Sequence, residues 1–359
     1  MLRSRSSERL VSVHTSAGVC VRILVTGGAG YIGSVTVRYL LDVGHDVVVL
    51  DSLEKGNAAA LPEGIELGMG DVGDVELLDR LLPGTDVVVH CAGLIEVAES
   101  QLDPGRYFEA NVARPLGMLR AMARHGVDSI VFSSTAAVYG EPDVVPLVES
   151  SMTVPVNAYG ESKLMFERML GWFGAAHGIG SVVLRYFNVA GAWSDGSIGE
   201  AHDPETHLIP RVLRALQDGQ RAFEVYGNDY PTPDGTCIRD YVHVLDLARA
   251  HGLAAAWLAE GGESRVFNLG SGRGYSNLEI VRTCSEAAGA GVDVTFGPRR
   301  PGDPAVLVAS NDAAEEALGW RPDHGKLREM VGDAWRWHSL HPQGYTCPTD
   351  SPGCEGDGA

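Results

Sequence analysis

The stretch Val21–Asp51, VRILVTGGAGYIGSVTVRYLLDVGHDVVVLD, decides how the rest of the chain is read. Val21 to Thr26 is a short apolar run rich in β-branched residues, the composition of a buried strand. It leads into Gly27-Gly28-Ala29-Gly30-Tyr31-Ile32-Gly33, after which Val35, Val37, Leu40 and Leu41 follow a helical rhythm that ends at Gly44. A second apolar run, Asp46 to Leu50, closes on Asp51. Glycines 27, 30 and 33 let the backbone turn tightly, approach a pyrophosphate and present amides at the positive N-terminus of a helix. An acid at the end of the second strand accepts hydrogen bonds from ribose hydroxyls and repels a 2′-phosphate, which favours NAD over NADP. Strand, glycine turn, helix, strand and acid in this order predict a dinucleotide site.

The pattern continues outward. Gly70-Asp71-Val72, the run Asp86 to Gly93, a helical stretch from Pro104 to His125 and the run Ser129 to Thr135 alternate apolar strands with helices. Such alternation predicts an α/β fold, a doubly wound parallel (Rossmann) sheet covered on both faces. Ligands of these sheets sit at the carboxyl ends of the strands, where Asp71, Ala92, Gly93, Thr135 and Asn188 all fall. Asp71 is read either as a contact to the adenine region or as a helix N-cap. From Ala192 loops lengthen and short strands (Phe223 to Tyr226, Arg265 to Leu269) separate helices. We expect a cofactor domain at 21–191 and, over 192–345, a smaller C-terminal α/β substrate lobe with segments such as Tyr241 to Glu260 returning to the main sheet.

Composition narrows the class. The 359 residues carry a formal net charge of -19, which argues against nonspecific binding to nucleic acid or to a membrane surface. No apolar run approaches the ~20 residues of a membrane span. Six cysteines without short paired spacings fit neither a disulfide framework nor a zinc site, and a reducing, cytoplasmic setting is expected. The twelve histidines show no ligand-type spacing, so no metal is expected. Residues 1–20 read as a disordered arm or as a stretch preceding a true start near Val21, and 346–359 as a disordered tail.

Tyr159 and Lys163, in Tyr-Gly-Glu-Ser-Lys, stand four apart and project from one helix face. A free phenol titrates near ~10, and a nearby ammonium stabilises its phenolate. The pair is therefore a candidate base with its counter-charge, the alternative being an ordinary surface helix.

TGGAGYIG (26–33), LDSL (50–53), AGL (92–94), FSSTAAVYG (132–140), YGESK (159–163) and LRYFNVAGA (184–192) together resemble the extended short-chain dehydrogenase/reductases. Within that superfamily the chain is similar to the UDP-glucose 4-epimerases, a likeness carried further by YGNDYPTPDGTCIRDYVHVLDLA (226–248), NLGSG (268–272) and RRPGDPAVL (299–307). The resemblance covers about residues 21–345. It implies NAD held by Gly27, Gly30, Tyr31, Ile32, Gly33, Asp51, Asp71, Val72, Ala92, Gly93, Asn111, Ser133, Tyr159, Lys163 and Tyr186. It implies a UDP-sugar held by Thr135, Asn188, His207, Leu208, Tyr226, Arg239, Arg300, Asp303 and Leu307. Among these, Asn188, Arg239 and Arg300 would take the diphosphate and Asp303 the uridine ribose.

The implied chemistry has Tyr159 take the proton of the sugar 4-hydroxyl, Lys163 hold the phenolate and the nicotinamide ribose, and Thr135 relay the proton. Hydride leaves C4 for NAD and returns to the other face of the 4-keto sugar. Related dehydratases resemble Thr-Asp-Glu where this chain has Thr135-Ala136-Ala137, so elimination lacks its acid and base. Ile95 stands where some members carry a cofactor-contacting Lys. Leu307 is intermediate between a restricting Tyr and smaller residues that admit N-acetylated sugars. The helices Pro104 to His125 and Ala158 to His177 imply a homodimer through four helices, unless they only cover the sheet. Two alternatives remain open: a 4-epimerase of another UDP-sugar (an N-acetylhexosamine, pentose or uronic acid), and a non-catalytic NAD-binding sensor.

Overall fold

The computed structural model describes residues 20–300 and 302–345. The arm through Val19 and the tail expected from Thr346 lie outside the described residues. Six strands come first: β1 (Arg22–Thr26), β2 (Asp46–Asp51), β3 (Glu66–Met69), β4 (Val87–His90), β5 (Ser129–Thr135) and β6 (Gly180–Tyr186). They are followed by β7 (Asn188–Ala190), β8 (Ala222–Tyr226), β9 (Ile238–His243), β10 (Arg265–Leu269), β11 (Gly274–Ser276), β12 (Asp293–Gly297) and β13 (Val306–Leu307).

Seven strands form one sheet in the order β10-β6-β5-β4-β1-β2-β3, with every pairing parallel. This is the expected doubly wound sheet. Because successive side chains point to opposite faces, each strand feeds two cores. Ile23, Val25, Val87, Val89 and Val131 face one side and pack with Val37 and Leu40 of the helix Tyr31–Asp42 and Ala250 and Ala254 of the helix Val244–Ala259. Leu24, Val88, Ile130 and Phe132 face the other, against the helices Val75–Leu81, Arg114–His125 and Ala158–His177. Strands apolar on both faces have no solvent side, which is why their sequences read as continuous apolar runs.

A smaller C-terminal lobe packs the helices Leu208–Gln217, Asn277–Ala288 and Leu327–Leu340 around Phe223, Val225 and Tyr241, with β8 and β12 paired in parallel and β9 flanked by β7, β11 and β13. Late segments also rejoin the main sheet. The helix Val244–Ala259 packs on Tyr31–Asp42, and β10 pairs with β6. Asp240 helps tie the lobe to these segments: its carboxylate accepts from Ser271 N and Oγ, Gly272 N and Ala309 N, at 2.7 to 3.1 Å.

The β5–β6–β10 side holds a buried ion pair. Arg185 Nη2 on β6 meets Glu167 Oε2 at 2.6 Å, with both side chains 7% exposed. Arg185 Nη1 also donates to the Tyr139 hydroxyl, which donates to Asn268 Oδ1 on β10. Removing one partner of such a pair strands a buried charge. Glu167→Ala is expected to lose about 3–5 kcal/mol of stability in urea denaturation, more than the paired change Arg185→Met with Glu167→Leu. A single-variant loss below about 1 kcal/mol, the scale of an exposed pair, would refute this account.

Candidate active site

The strand order reverses between β1 and β4, so their connections leave in opposite directions and a crevice opens at the carboxyl ends. The glycine turn closes its floor. Gly27 has φ +71°, and a Cβ there would lie 2.5 Å from Ala92 N; a Cβ at Gly33 would lie 2.0 Å from Gly27 O. The helix Tyr31–Asp42 begins at Gly30 without a side-chain cap, whereas Asp74, Asn157 and Ser276 cap their helices. Its first-turn amides are thus left for a ligand, as an anion site requires.

Asp51, 6% exposed, accepts from Ala29 N at 2.9 Å and Leu53 N at 2.8 Å, so it also fixes the turn it was read to serve. Asp71 accepts from Gly73 N and from Arg114 Nη1, both at 2.7 Å. The N-cap reading of Asp71 is corrected: Asp74 takes that place by accepting from Leu77 N.

All the residues named above for cofactor and substrate line one cavity of about 750 Å³, except Asn111 and Ser133. Asn111 stands behind the wall, where its amide bonds Leu94 N and O and Ser162 Oγ. Ser133 lies beneath, its carbonyl accepting from Lys163 Nζ at 3.2 Å and its hydroxyl in contact with His251 Nε2 at 3.0 Å.

Tyr159 and Lys163 sit in the first two turns of Ala158–His177, whose N-terminus is set by Asn157 Oδ1 accepting from Gly160 N at 2.8 Å. Thr135, the last residue of β5, brings its hydroxyl to the Tyr159 phenol. Burial pushes that phenol above its ordinary range, and the Thr135 hydrogen bond only partly offsets this. Burial pulls Lys163 down to about 8, against the charges of Cys91 and Glu167. The expected contact of ammonium with phenol is not what the structure shows: Lys163 reaches the Ser133 carbonyl, and the neighbour that draws the phenol downward is Thr135. The physical reason is that β5 offers a carbonyl to Lys163 and a hydroxyl to Tyr159 at its carboxyl end.

On the lobe side Arg239 is ion-paired with Asp303, while Arg300 lies over the Tyr226 ring at 4.4 Å and among the described residues makes no salt bridge. Sequence reasoning missed one group. The expectation of no ligand-type clustering is corrected by Glu200, His202, Glu205 and His207, which converge at the cavity edge. The signal was Glu-x-His-x-x-Glu-x-His, which a search confined to histidine and cysteine spacing overlooks.

The sheet, the uncapped helix over a glycine turn and the cavity bridging two lobes define a dinucleotide-dependent α/β enzyme. Residues 23–270 match the family model described as "NAD dependent epimerase/dehydratase family". The chain is 47% identical over 325 residues to a UDP-glucose 4-epimerase of Lacticaseibacillus casei, covering 90% of this chain and 98% of that one. It is 49% identical over 321 residues to a UDP-glucose 4-epimerase of Corynebacterium glutamicum, covering 89% and 96%. The UDP-glucose 4-epimerase from Bifidobacterium longum in complex with NAD+ and UDP superposes with a TM-score of 0.85 at 36% identity, over 90% of this chain and all of that one. The chain belongs to the NAD-dependent epimerase/dehydratase family.

Two outcomes follow from the geometry. Gly33→Ala is expected to cost about 1–3 kcal/mol or more in thermal unfolding, because its methyl meets backbone rather than a movable side chain, and to reduce retained cofactor measured by absorbance. An unchanged melting temperature with full cofactor retention would refute this. Lys163 titrates lower in the folded than in the unfolded chain, so the folded state binds fewer protons between about 8 and its ordinary ~10.4, and stability rises with pH across that window. After NAD is stripped, Lys163→Met should therefore be the more stable protein at neutral pH, by roughly 2–3 kcal/mol, with the advantage closing as pH approaches ~10. A pH-independent difference would refute the burial of a charged Lys163.

Proposed function

We propose that this chain interconverts UDP-glucose and UDP-galactose by inverting C4 of the sugar. One observation carries the reading: Tyr159, Lys163 and Thr135 meet at the wall of a cavity that runs from the glycine turn to Arg239 and Arg300. The curated relatives, themselves UDP-glucose 4-epimerases at nearly equal length, support it.

The residues present fit NAD: an uncapped helix N-terminus for the pyrophosphate, and Asp51 at the end of β2 for the adenosine ribose. When bound, NAD supplies a hydride acceptor and donor and, oxidised, a cationic ring. The chain supplies the proton chemistry. Tyr159 as phenolate takes the proton of the 4-hydroxyl, Thr135 holds that hydroxyl and relays its proton, and the Lys163 charge supports the phenolate. Ala136 and Ala137 follow Thr135 in a short turn, where Thr135 Oγ1 accepts from Ala137 N at 3.1 Å. With no carboxyl group there, expulsion of water has no acid or base, and the keto sugar is left to be reduced again.

Arg300 and Arg239 offer guanidinium forks to the diphosphate, and a ribose at Asp303 would share that carboxylate with Arg239. The division into cofactor residues 21–191 and mainly substrate residues 192–345 belongs to the same reading. So does a homodimer, supported by Met165 and Trp172, exposed at 38% and 77% and seven residues apart on the Ala158–His177 helix. A cytoplasmic setting accords with the absence, among the described residues, of any helix long and apolar enough to cross a membrane.

The test is conversion of UDP-galactose to UDP-glucose by the purified protein without added NAD, followed by chromatography. Conversion is expected, and Tyr159→Phe should lose about 10²–10⁴-fold in kcat while keeping its cofactor. No conversion even with NAD supplied would remove this substrate pair, and an active Tyr159→Phe would remove the phenol as base.

A further inference from the structure

The loop between β7 and the helix Leu208–Gln217 carries Glu200, His202, Glu205 and His207, each offering one ligand-type atom within 4.8 Å of the other three. His202 Nδ1 is 3.2 Å from Glu200 Oε1, and both imidazole Nδ1 atoms are 3.9 Å from Glu205 Oε1. His207 Nδ1 is in contact with Glu200 Oε1. A tetrahedral ion with bonds of ~2.0–2.1 Å to nitrogen and oxygen spaces its ligand atoms about 3.3 Å apart, so small side-chain adjustments complete the shell.

A second observation points the same way. The two glutamate side chains are only 6% and 4% exposed, and Glu205 Oε2 is buried without a hydrogen-bond partner. Two carboxylates buried together are costly unless a cation compensates them, and an orphan carboxylate oxygen is an unused ligand. The loop is also held in place: Trp337 Nε1 donates to Glu200 O at 3.1 Å, the Tyr345 hydroxyl spans Gly199 N and O, and His207 N donates to Glu205 Oε1 at 2.9 Å.

We propose that Glu200, His202, Glu205 and His207 bind one divalent transition-metal ion of the zinc type, which ties this loop at the edge of the substrate cavity. Two imidazoles and two carboxylates suit zinc or cobalt(II) better than the all-oxygen shells of magnesium or calcium. His207 is shared with the substrate wall of the reading above, but neither Tyr159 nor Lys163 takes part, so ion binding is measurable without turnover.

The test uses tag-free protein with its NAD retained, treated with chelator, exchanged into metal-free buffer and titrated with Co²⁺ and then Zn²⁺, with no nucleotide sugar present. Saturation at one cobalt per chain is expected, with the intense visible bands of a four-coordinate site that zinc then abolishes. His202→Ala and Glu205→Gln should each weaken cobalt binding by at least about 100-fold, above the ~10–100-fold lost with an outer-shell partner. Glu205→Gln nearly preserves side-chain shape, and circular dichroism with NAD retention checks that it is folded. Absence of a saturable equivalent in the wild type, or affinity unchanged in folded Glu205→Gln, would overturn the site and leave a histidine–glutamate ion-pair network.

Discussion

The crevice depends on how closely two backbones approach, Gly27 of the turn after β1 against Ala92 after β4. These strands are neighbours whose connections depart in opposite directions, so the turn must pass directly over the end of β4. Any side chain at Gly27 or Gly33 would lift the turn and carry the helix Tyr31–Asp42 with it. Held down, that helix aims unspent amides into the gap, and the distance from them to the ends of β5 and β6 becomes fixed by the strand spacing of about 4.7–4.9 Å. The sheet acts as a ruler, and the glycines set its zero.

Rotation of the helix Ala158–His177 is governed by a different interaction. Tyr159, Lys163 and Glu167 fall at successive i, i+4 positions, so they form one stripe down the face that meets the sheet. At one end of that stripe Glu167 pairs with Arg185 on β6 and takes the Ser134 hydroxyl of β5. At the other end Tyr159 meets Thr135, the next residue of β5. A buried ion pair is weak evidence for stability, but it is strict about geometry. Here it pins one end of the stripe from which the phenol and the ammonium project to β6, beside the apolar packing of Phe166 and Leu170.

Legibility from sequence tracked whether the information was local. The strand–turn–helix start and the alternating elements could be read because periodicity and glycine spacing are local properties, and the Tyr159–Lys163 pair because helical spacing is. The return of Val244–Ala259 and β10 to the main sheet rests on long-range packing, so sequence suggested it without fixing its partners. Asp71 and Asp74 are both plausible caps in sequence; three-dimensional placement gives Asp71 to Arg114 and Gly73, leaving Asp74 as the cap. Arg239 and Asp303 lie far apart in the chain, so their pairing was invisible, and each was assigned to the ligand by resemblance alone. The Glu200–His207 cluster was local and was still missed, because histidine and cysteine spacing alone leaves out its two carboxylates, whose burial is not a local property.

The same burial that organises the site works against the chemistry proposed for it. Removing Tyr159 and Lys163 from water raises the phenol and lowers the ammonium, so both shift toward their neutral forms. With Lys163 at about 8, the ammonium survives at neutral pH, but the phenol, supported only by a Thr135 hydroxyl, stays protonated. Burial alone therefore disfavours the phenolate. A further positive charge near the phenol would tip it, and an oxidised nicotinamide carries one. In the proposed reaction this couples the two halves of the step: the proton becomes removable in the state that can also accept a hydride.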